Sequence, residues 1–195
     1  MNDQQLMQSI KTEYGALLAE EASHTAIPES FLAALIANES GGNAQAKRFE
    51  GNVLASLWEV LLGRKAAYGS VRASDLVAYV KGTSSRVNGI TGALFDLDDL
   101  AHSWGLTQVM GYHVLDPGLV PVPVTYAASL ANPEIGMGYT VALLEQFART
   151  WRLDERLNFA ELLRCWNTGR PDGKTFDPSY VSNGLHRMAL YQDLA

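Results

Sequence analysis

Glu39 follows Leu35 by four residues and Ile36 by three. On a helix it therefore projects from the same face as those apolar side chains, near the C-terminal end. A carboxyl so placed is partly desolvated and lies at the negative end of the helix dipole, and both conditions disfavour the anion. A carboxylic acid kept protonated near neutral pH is what a general acid needs to protonate a leaving oxygen. The bland alternative is a glutamate at a frayed helix end, reaching into solvent.

Other reactive residue types are less well placed. His24, His102, His113 and His186 show no His-Glu-x-x-His spacing, so neither a metal site nor a cofactor is expected. Cys165 is the single cysteine, which excludes an intrachain disulfide and a cysteine-based zinc site. Beside Trp166 on an amphipathic stretch it reads as a small buried hydrophobe rather than a nucleophile. The glycines between Gly63 and Gly92 are scattered and lack the Lys-Ser/Thr that follows a phosphate-binding loop.

Three segments place Glu39 in a pattern. Ala37-Asn38-Glu39-Ser40-Gly41 resembles the Glu-Ser motif that ends the catalytic helix of lytic transglycosylases and goose-type lysozymes. Ser103-Trp104-Gly105-Leu106-Thr107-Gln108-Val109-Met110 resembles their Gly-Leu-Met-Gln-(Val/Ile)-Met signature, and Cys165-Trp166-Asn167-Thr168-Gly169 their Tyr-Asn-x-Gly segment. The motifs come in the family's order over about residues 27 to 190. Within the same lysozyme-like superfamily the phage-type N-acetylmuramidases are more similar still. Arg48-Phe49-Glu50-Gly51-Asn52-Val53-Leu54 and Ser103 to Tyr112 resemble two of their stretches. The chain departs from the pattern at Thr107 (usually methionine), Trp166 (usually tyrosine) and Asn52 (usually histidine), and residues 64–95 have no counterpart.

The resemblance implies an all-α, lysozyme-like helical domain that cuts the β-1,4 bond between N-acetylmuramic acid and N-acetylglucosamine in peptidoglycan. Glu39 would be the general acid, with a cleft between its helix and the Gly105–Met110 segment. Ser40, Ser103, Gly105, Gln108, Met110, Asn167 and Tyr180 would contact substrate. Gly105, having no Cβ, would let backbone approach a sugar, and the amides of Gln108 and Asn167 can donate to and accept from acetamido and hydroxyl groups. Their alternative is ordinary polar surface or helix-end bonding. Tyr112 and Tyr126 could stack on sugar rings or fill core, whereas Tyr180 stands where a substrate-side tyrosine follows the asparagine segment.

A second carboxylate decides the mechanism. An inverting hydrolase needs a base roughly 6.5–9.5 Å from the acid, and a retaining one a nucleophile roughly 5–5.5 Å away. Glu50, in the phage-type stretch, and Asp96, Asp98 and Asp99 are the candidates; Asp99, six residues ahead of Gly105, is similar in position to an auxiliary aspartate of goose-type lysozymes. The aspartate cluster reads equally as a solvated helix start. Without a placed carboxylate the muramic acid's own 6-hydroxyl attacks and an anhydro sugar forms. The phage-type stretches favour hydrolysis. A different class of function, a non-catalytic glycan-binding or structural module, is suggested by the acidic net charge.

The elements that must position these residues are mainly helical. Leu6, Ile10, Tyr14 and Leu17 recur at near-helical spacing after a possible cap at Asn2 or Asp3. Pro28 suits the first position of a second helix carrying Phe31, Leu32, Leu35 and Ile36 up to Gly41-Gly42. Val53, Leu54, Leu57, Trp58, Leu61 and Leu62 mark a third, ending at Gly63. Residues 63–95 read as a glycine-rich excursion with one amphipathic piece, Ser74 to Val80. Helix is expected to resume near Asp96 and to include Gly105 to Leu115, with Pro117, Pro121 and Pro123 enforcing an extended turn. Asn132-Pro133 and Asp177-Pro178 read as cap-proline helix starts. Asn158 with Glu161 reads as a capping box, with Leu157 and Leu162 as its staple and Gly169 as the helix end. About eight helices are expected and no β-hairpin.

Composition bounds the rest. At 195 residues one domain spanning 1–195 is expected. Hydrophobic residues make up 47 %, enough for a sizeable core. A net charge of −6 argues against nucleic acid as a partner and against an electrostatic anchor on anionic lipid. No apolar run approaches the roughly 20 residues that span a bilayer, so no membrane insertion is expected. The partner that the resemblance implies is the glycan strand, and the chain is expected to be a monomer. Met-Asn-Asp-Gln-Gln-Leu has neither the basic nor the apolar region of a signal peptide. The expected routes to the wall are a lysin made in the cytoplasm and released by another factor, or a secreted chain already trimmed.

Overall fold

Asn2 sets the first helix, α1 (Asp3–Ser23). Its side chain accepts from the Gln5 amide at 2.8 Å while Gln5 Oε1 accepts from the Asn2 N–H at 3.1 Å, a reciprocal capping box. The computed structural model describes residues 1–83, 97–119, 124 and 126–194. Asp96, residues 84–95 of the glycine-rich stretch, Pro121 and Pro123 lie outside the described residues. The chain is mostly helical and divides into two units, Met1–Asn43 with Thr140–Ala195, and Ala44–Tyr139.

In the first unit α1 buries Met7, Ile10, Tyr14 and Leu18, a face turned by one residue from the expected Leu6–Leu17 stripe. Helix α2 runs Glu29–Glu39, with Pro28 as its cap rather than its first residue. Every position from Ser30 to Ala37 is buried, so α2 has no solvent face; a helix apolar all round belongs inside a core. Glu39 thus owes its position to the end of α2, where exposure begins, and not to one apolar stripe. Burial of each large side chain here contributes about 1.5–3 kcal/mol.

Around α2 pack α1 and the last helix, Tyr180–Gln192. The two helices before that last one are Pro133–Trp151 and Phe159–Thr168; in chain order the three are α5, α6 and α7. Asn132 caps α5 as expected, its Oδ1 accepting from the amides of Glu134 (3.0 Å) and Ile135 (3.2 Å) with Pro133 at the first position. Helix α6 stops at Gly169, whose left-handed φ of 77° closes it. The expected capping box at Asn158 is absent: its Oδ1 accepts instead from the Asp154 amide at 2.7 Å, and Leu157 stays 74 % exposed rather than stapling Leu162. Helix α7 begins at Tyr180, later than Asp177-Pro178 suggested; in the turn before it Asp177 Oδ1 accepts from the Ser179 amide at 2.8 Å.

The second unit corrects the helix expected over Gly105 to Leu115. Strand β1 (Lys47–Phe49) pairs antiparallel with β4 (His102–Trp104), which pairs with β5 (Val109–Met110). Gly105 at φ 76° and Gln108 at φ 58° turn the chain between β4 and β5, and neither backbone can continue a right-handed helix. Only a short 3₁₀ segment, Gly111–Leu115, follows. A second hairpin joins β2 (Ala67–Tyr68) to β3 (Val71–Arg72) through Gly69-Ser70, with Gly69 at φ 59°. Helices α3 (Gly51–Leu61) and α4 (Ala73–Thr83) match the two amphipathic stretches read there. Among the described residues no helix is long and apolar enough to cross a membrane.

Candidate functional site

Glu39 is the last residue of α2 and is half-buried. Ser40 caps that end, its amide donating to the Ile36 carbonyl at 3.0 Å and its hydroxyl lying 3.4 Å from the same oxygen. Gly41 and Gly42, both at positive φ, turn the chain away, and the Gly42 carbonyl accepts from the Tyr14 hydroxyl at 3.0 Å. The turn that ends the helix is thereby tied to α1.

Tyr180 meets Glu39 from the first turn of α7. Its ring is buried, at 7 % exposure, and its hydroxyl donates to Glu39 Oε1. Burial pushes the Tyr180 phenol far above its ordinary range, and the charge of Glu39 and the hydrogen bond to it push the same way. The phenol therefore stays protonated and serves as a fixed donor. A substrate-facing ring was expected; the ring is packed inside, and the contact it makes is with the carboxylate.

Asn38, beside Glu39, had no assigned role. Its Nδ2 donates to the Tyr180 carbonyl at 2.9 Å, and its Oδ1 accepts from Arg187 Nη1 at 2.8 Å. The separation of 149 residues between Asn38 and Arg187 explains why no sequence spacing announces this pair. Asn167, by contrast, lies exposed near the end of α6.

In the second unit the expected substrate contacts are turned inward. Gln108 Nε2 donates to the carbonyls of Ala46 (3.1 Å) and Gly105 (3.0 Å), and its Oε1 accepts from the Ser103 hydroxyl at 2.8 Å. Both amide donors are used. The bonds hold Gln108 in its left-handed conformation within the β4–β5 turn, and neither a surface position nor a helix end describes it. Gly105 is required by the fold itself: a Cβ there would lie 2.5 Å from the Leu130 carbonyl oxygen. Ser103 is buried and Met110 half-buried, opposite each other on β4 and β5.

Of the candidate second carboxylates, Glu50 and Asp99 each carry a cation, whereas Asp98 lies beside His102. Glu50 Oε1 lies 2.7 Å from Arg48 Nε, and Asp99 Oδ1 lies 3.4 Å from Lys47 Nζ. Lys47 also stands 4.1 Å over the Trp104 ring, and Trp104 Nε1 donates to the Asp99 carbonyl at 3.0 Å. Asp98, Asp99 and His102 bring ligand atoms within 4.8 Å of one another, close enough for a divalent cation. His102 Nδ1 lies 2.7 Å from the Asp98 carbonyl and so donates to it. With that nitrogen protonated and Lys47 on Asp99, internal partners already serve the cluster. Cys165 is buried and its thiol is pushed up to about 11, chiefly by burial, which makes it inert as a nucleophile.

No family model, curated protein or solved structure matches the chain.

Proposed function

We propose that the chain is a peptidoglycan-degrading glycosidase of lysozyme-like fold, cleaving the β-1,4 bond between N-acetylmuramic acid and N-acetylglucosamine with Glu39 as general acid. The observation that carries this reading is the pairing of Glu39 with Tyr180. A half-buried carboxyl at the end of a buried helix receives a hydrogen bond from a phenol that does not ionise. With Oε1 accepting from Tyr180, the carboxyl is held in a fixed orientation, as a general acid requires. The order of the three resembling motifs supports the same reading.

In this proposal Glu39 protonates the leaving glycosidic oxygen as the bond to the muramic acid C1 breaks. Water then attacks C1 with help from a base, for which Glu50 and Asp99 are the candidates. A second reading, transglycosylation, is favoured by the ion pairs on both those carboxylates. There the muramic acid's 6-hydroxyl attacks C1, and Glu39, having given up its proton, takes the one that hydroxyl loses.

The test is Glu39→Gln, nearly isosteric and still able to accept from Tyr180. It is expected to abolish release of muropeptides from purified cell walls while the thermal transition stays near that of the parent. Release at the parent rate would overturn the assignment. Binding of chitooligosaccharides by the parent with no product between pH 4 and 8 would instead favour a non-catalytic glycan-binding module.

A further inference from the structure

Arg187, on α7, reaches three partners at once. Its Nε and Nη2 donate to Oδ1 of Asp3 at 3.1 and 2.9 Å, and its Nη1 donates to the Ala37 carbonyl at 3.2 Å and to Asn38 Oδ1 at 2.8 Å. The Ala37 carbonyl belongs to the last turn of α2, where carbonyls lack helical partners and a cation is favoured. Arg187 therefore caps the helix that ends in Glu39 and ties it to the first turn of α1.

The contact with Asn38 does more than bind. A guanidinium has donors only, so the atom of Asn38 facing it must be the oxygen. The amide's nitrogen is then committed to the other side, where it donates to the Tyr180 carbonyl at 2.9 Å. Were the amide turned over, two donors would meet at Arg187 and two acceptors at Tyr180. Gly184 keeps the helices close enough for this, since a Cβ there would lie 3.1 Å from Asn38 Nδ2 and 2.7 Å from Leu163 Cδ1. The chain of bonds thus runs Asp3, Arg187, Asn38, Tyr180, Glu39.

We propose that Arg187 is a positioning residue for Glu39, fixing through Asn38 the approach of Tyr180 to the carboxylate at the end of α2. Its effect on catalysis rests on Glu39 being the general acid; its effect on the geometry of the Glu39–Tyr180 pair does not. Arg187 is 18 % exposed at its side chain and Asp3 35 %, so the network is shielded without being sealed in the core.

The experiment compares the parent with Arg187→Lys and Arg187→Met. Lysine keeps the charge beside Asp3 but cannot fork to Asp3, Ala37 and Asn38 together. If Arg187→Met does not fold, Arg187→Lys decides. Two readouts are taken: the titration of the Glu39 side-chain carbon with the Tyr180 hydroxyl proton by NMR, and kcat and KM for muropeptide release. In both variants the Glu39 titration is expected to move, and the Tyr180 hydroxyl proton to lose its hydrogen-bonded position. The kcat is expected to fall on the order of tenfold to a hundredfold, as for a small misplacement of a reacting group, with KM little changed. A lowered melting temperature with the Glu39 titration and the Tyr180 signal unchanged would overturn the proposal and leave Arg187 a plain helix tie. If the parent releases no muropeptides, the glycosidase reading fails while the NMR readout still decides the role of Arg187.

Discussion

The Tyr180 hydroxyl donates to Oε1 of Glu39 across 141 residues of sequence, joining the first turn of α7 to the last residue of α2. The bond couples two groups whose charges matter to each other. Burial and the neighbouring carboxylate keep the phenol protonated, and the protonated phenol keeps one carboxylate oxygen in place.

Removing that hydroxyl isolates its contribution. Tyr180→Phe retains the buried ring, so the fold is expected to hold. A hydrogen bond to a charged group contributes about 1.5–3 kcal/mol. If the bond serves the transition state, kcat falls by roughly tenfold to a hundredfold. Muropeptide release measured at substrate saturation checks this. An unchanged kcat would mean that Tyr180 only fills space beside Glu39.

Much of the Glu39 end of α2 was legible. The Glu39-Ser40-Gly41-Gly42 run marked the helix end, and consecutive apolar residues before it marked the core. The direction of Tyr180 was not legible, because spacing within a helix says nothing about which distant helix it meets. Asn38 and Arg187 were invisible for the same reason: an ordinary asparagine and an isolated arginine become a network only once α2 and α7 lie together. The β4–β5 turn was misread because Leu106, Val109 and Met110 suit a helix as well as a strand. The signal against helix was Gly105. The expectation of no β-hairpin was wrong at Gly69-Ser70 as well, where two turn residues join the short antiparallel pair Ala67–Tyr68 and Val71–Arg72; strands of two residues are too short to show an alternating pattern.

Gly105 gives a stability test for that region. Gly105→Ala places a Cβ 2.5 Å from the Leu130 carbonyl oxygen at a backbone φ of 76°. Strain and overpacking together are expected to cost about 2–4 kcal/mol. Chemical denaturation followed by tryptophan fluorescence should show an earlier transition. A midpoint equal to that of the parent would show that the β4–β5 turn shifts freely.

His113 predicts a pH dependence. Its Nδ1 is buried with no hydrogen-bond partner among the described residues, and burial lowers the ring's pKa from 6.5 to about 4, with Asp116 opposing. The unfolded chain takes up a proton near pH 6.5 that the folded chain refuses until about pH 4. Stability is therefore fully present above pH 6.5 and declines as pH falls through that window. The loss attributable to His113 across that window is on the order of 3 kcal/mol. His113→Phe, which keeps a ring against Tyr112, should flatten the denaturation midpoint against pH between those limits. A slope equal to the parent's would assign the acid sensitivity to other groups.

The last expectation concerns what attacks the muramic acid carbon. Glu50 lies 2.7 Å from Arg48 and Asp99 lies 3.4 Å from Lys47. A base that activates water must release its cation or act despite it. If either acts, Glu50→Gln or Asp99→Asn should lower the rate by about 10²–10⁴-fold, as expected for losing a general base. Hydrolysis also leaves a product that can be weighed: muropeptides with a reducing-end muramic acid, heavier by one water than the 1,6-anhydro form. A digest made of reducing ends, together with a collapse in one amide variant, identifies that residue as the base. A digest made of anhydro ends, with both amide variants active, leaves Glu39 alone as acid and then base. The ion pairs on Glu50 and Asp99 would then be structural, holding the edge of the β1–β4 sheet.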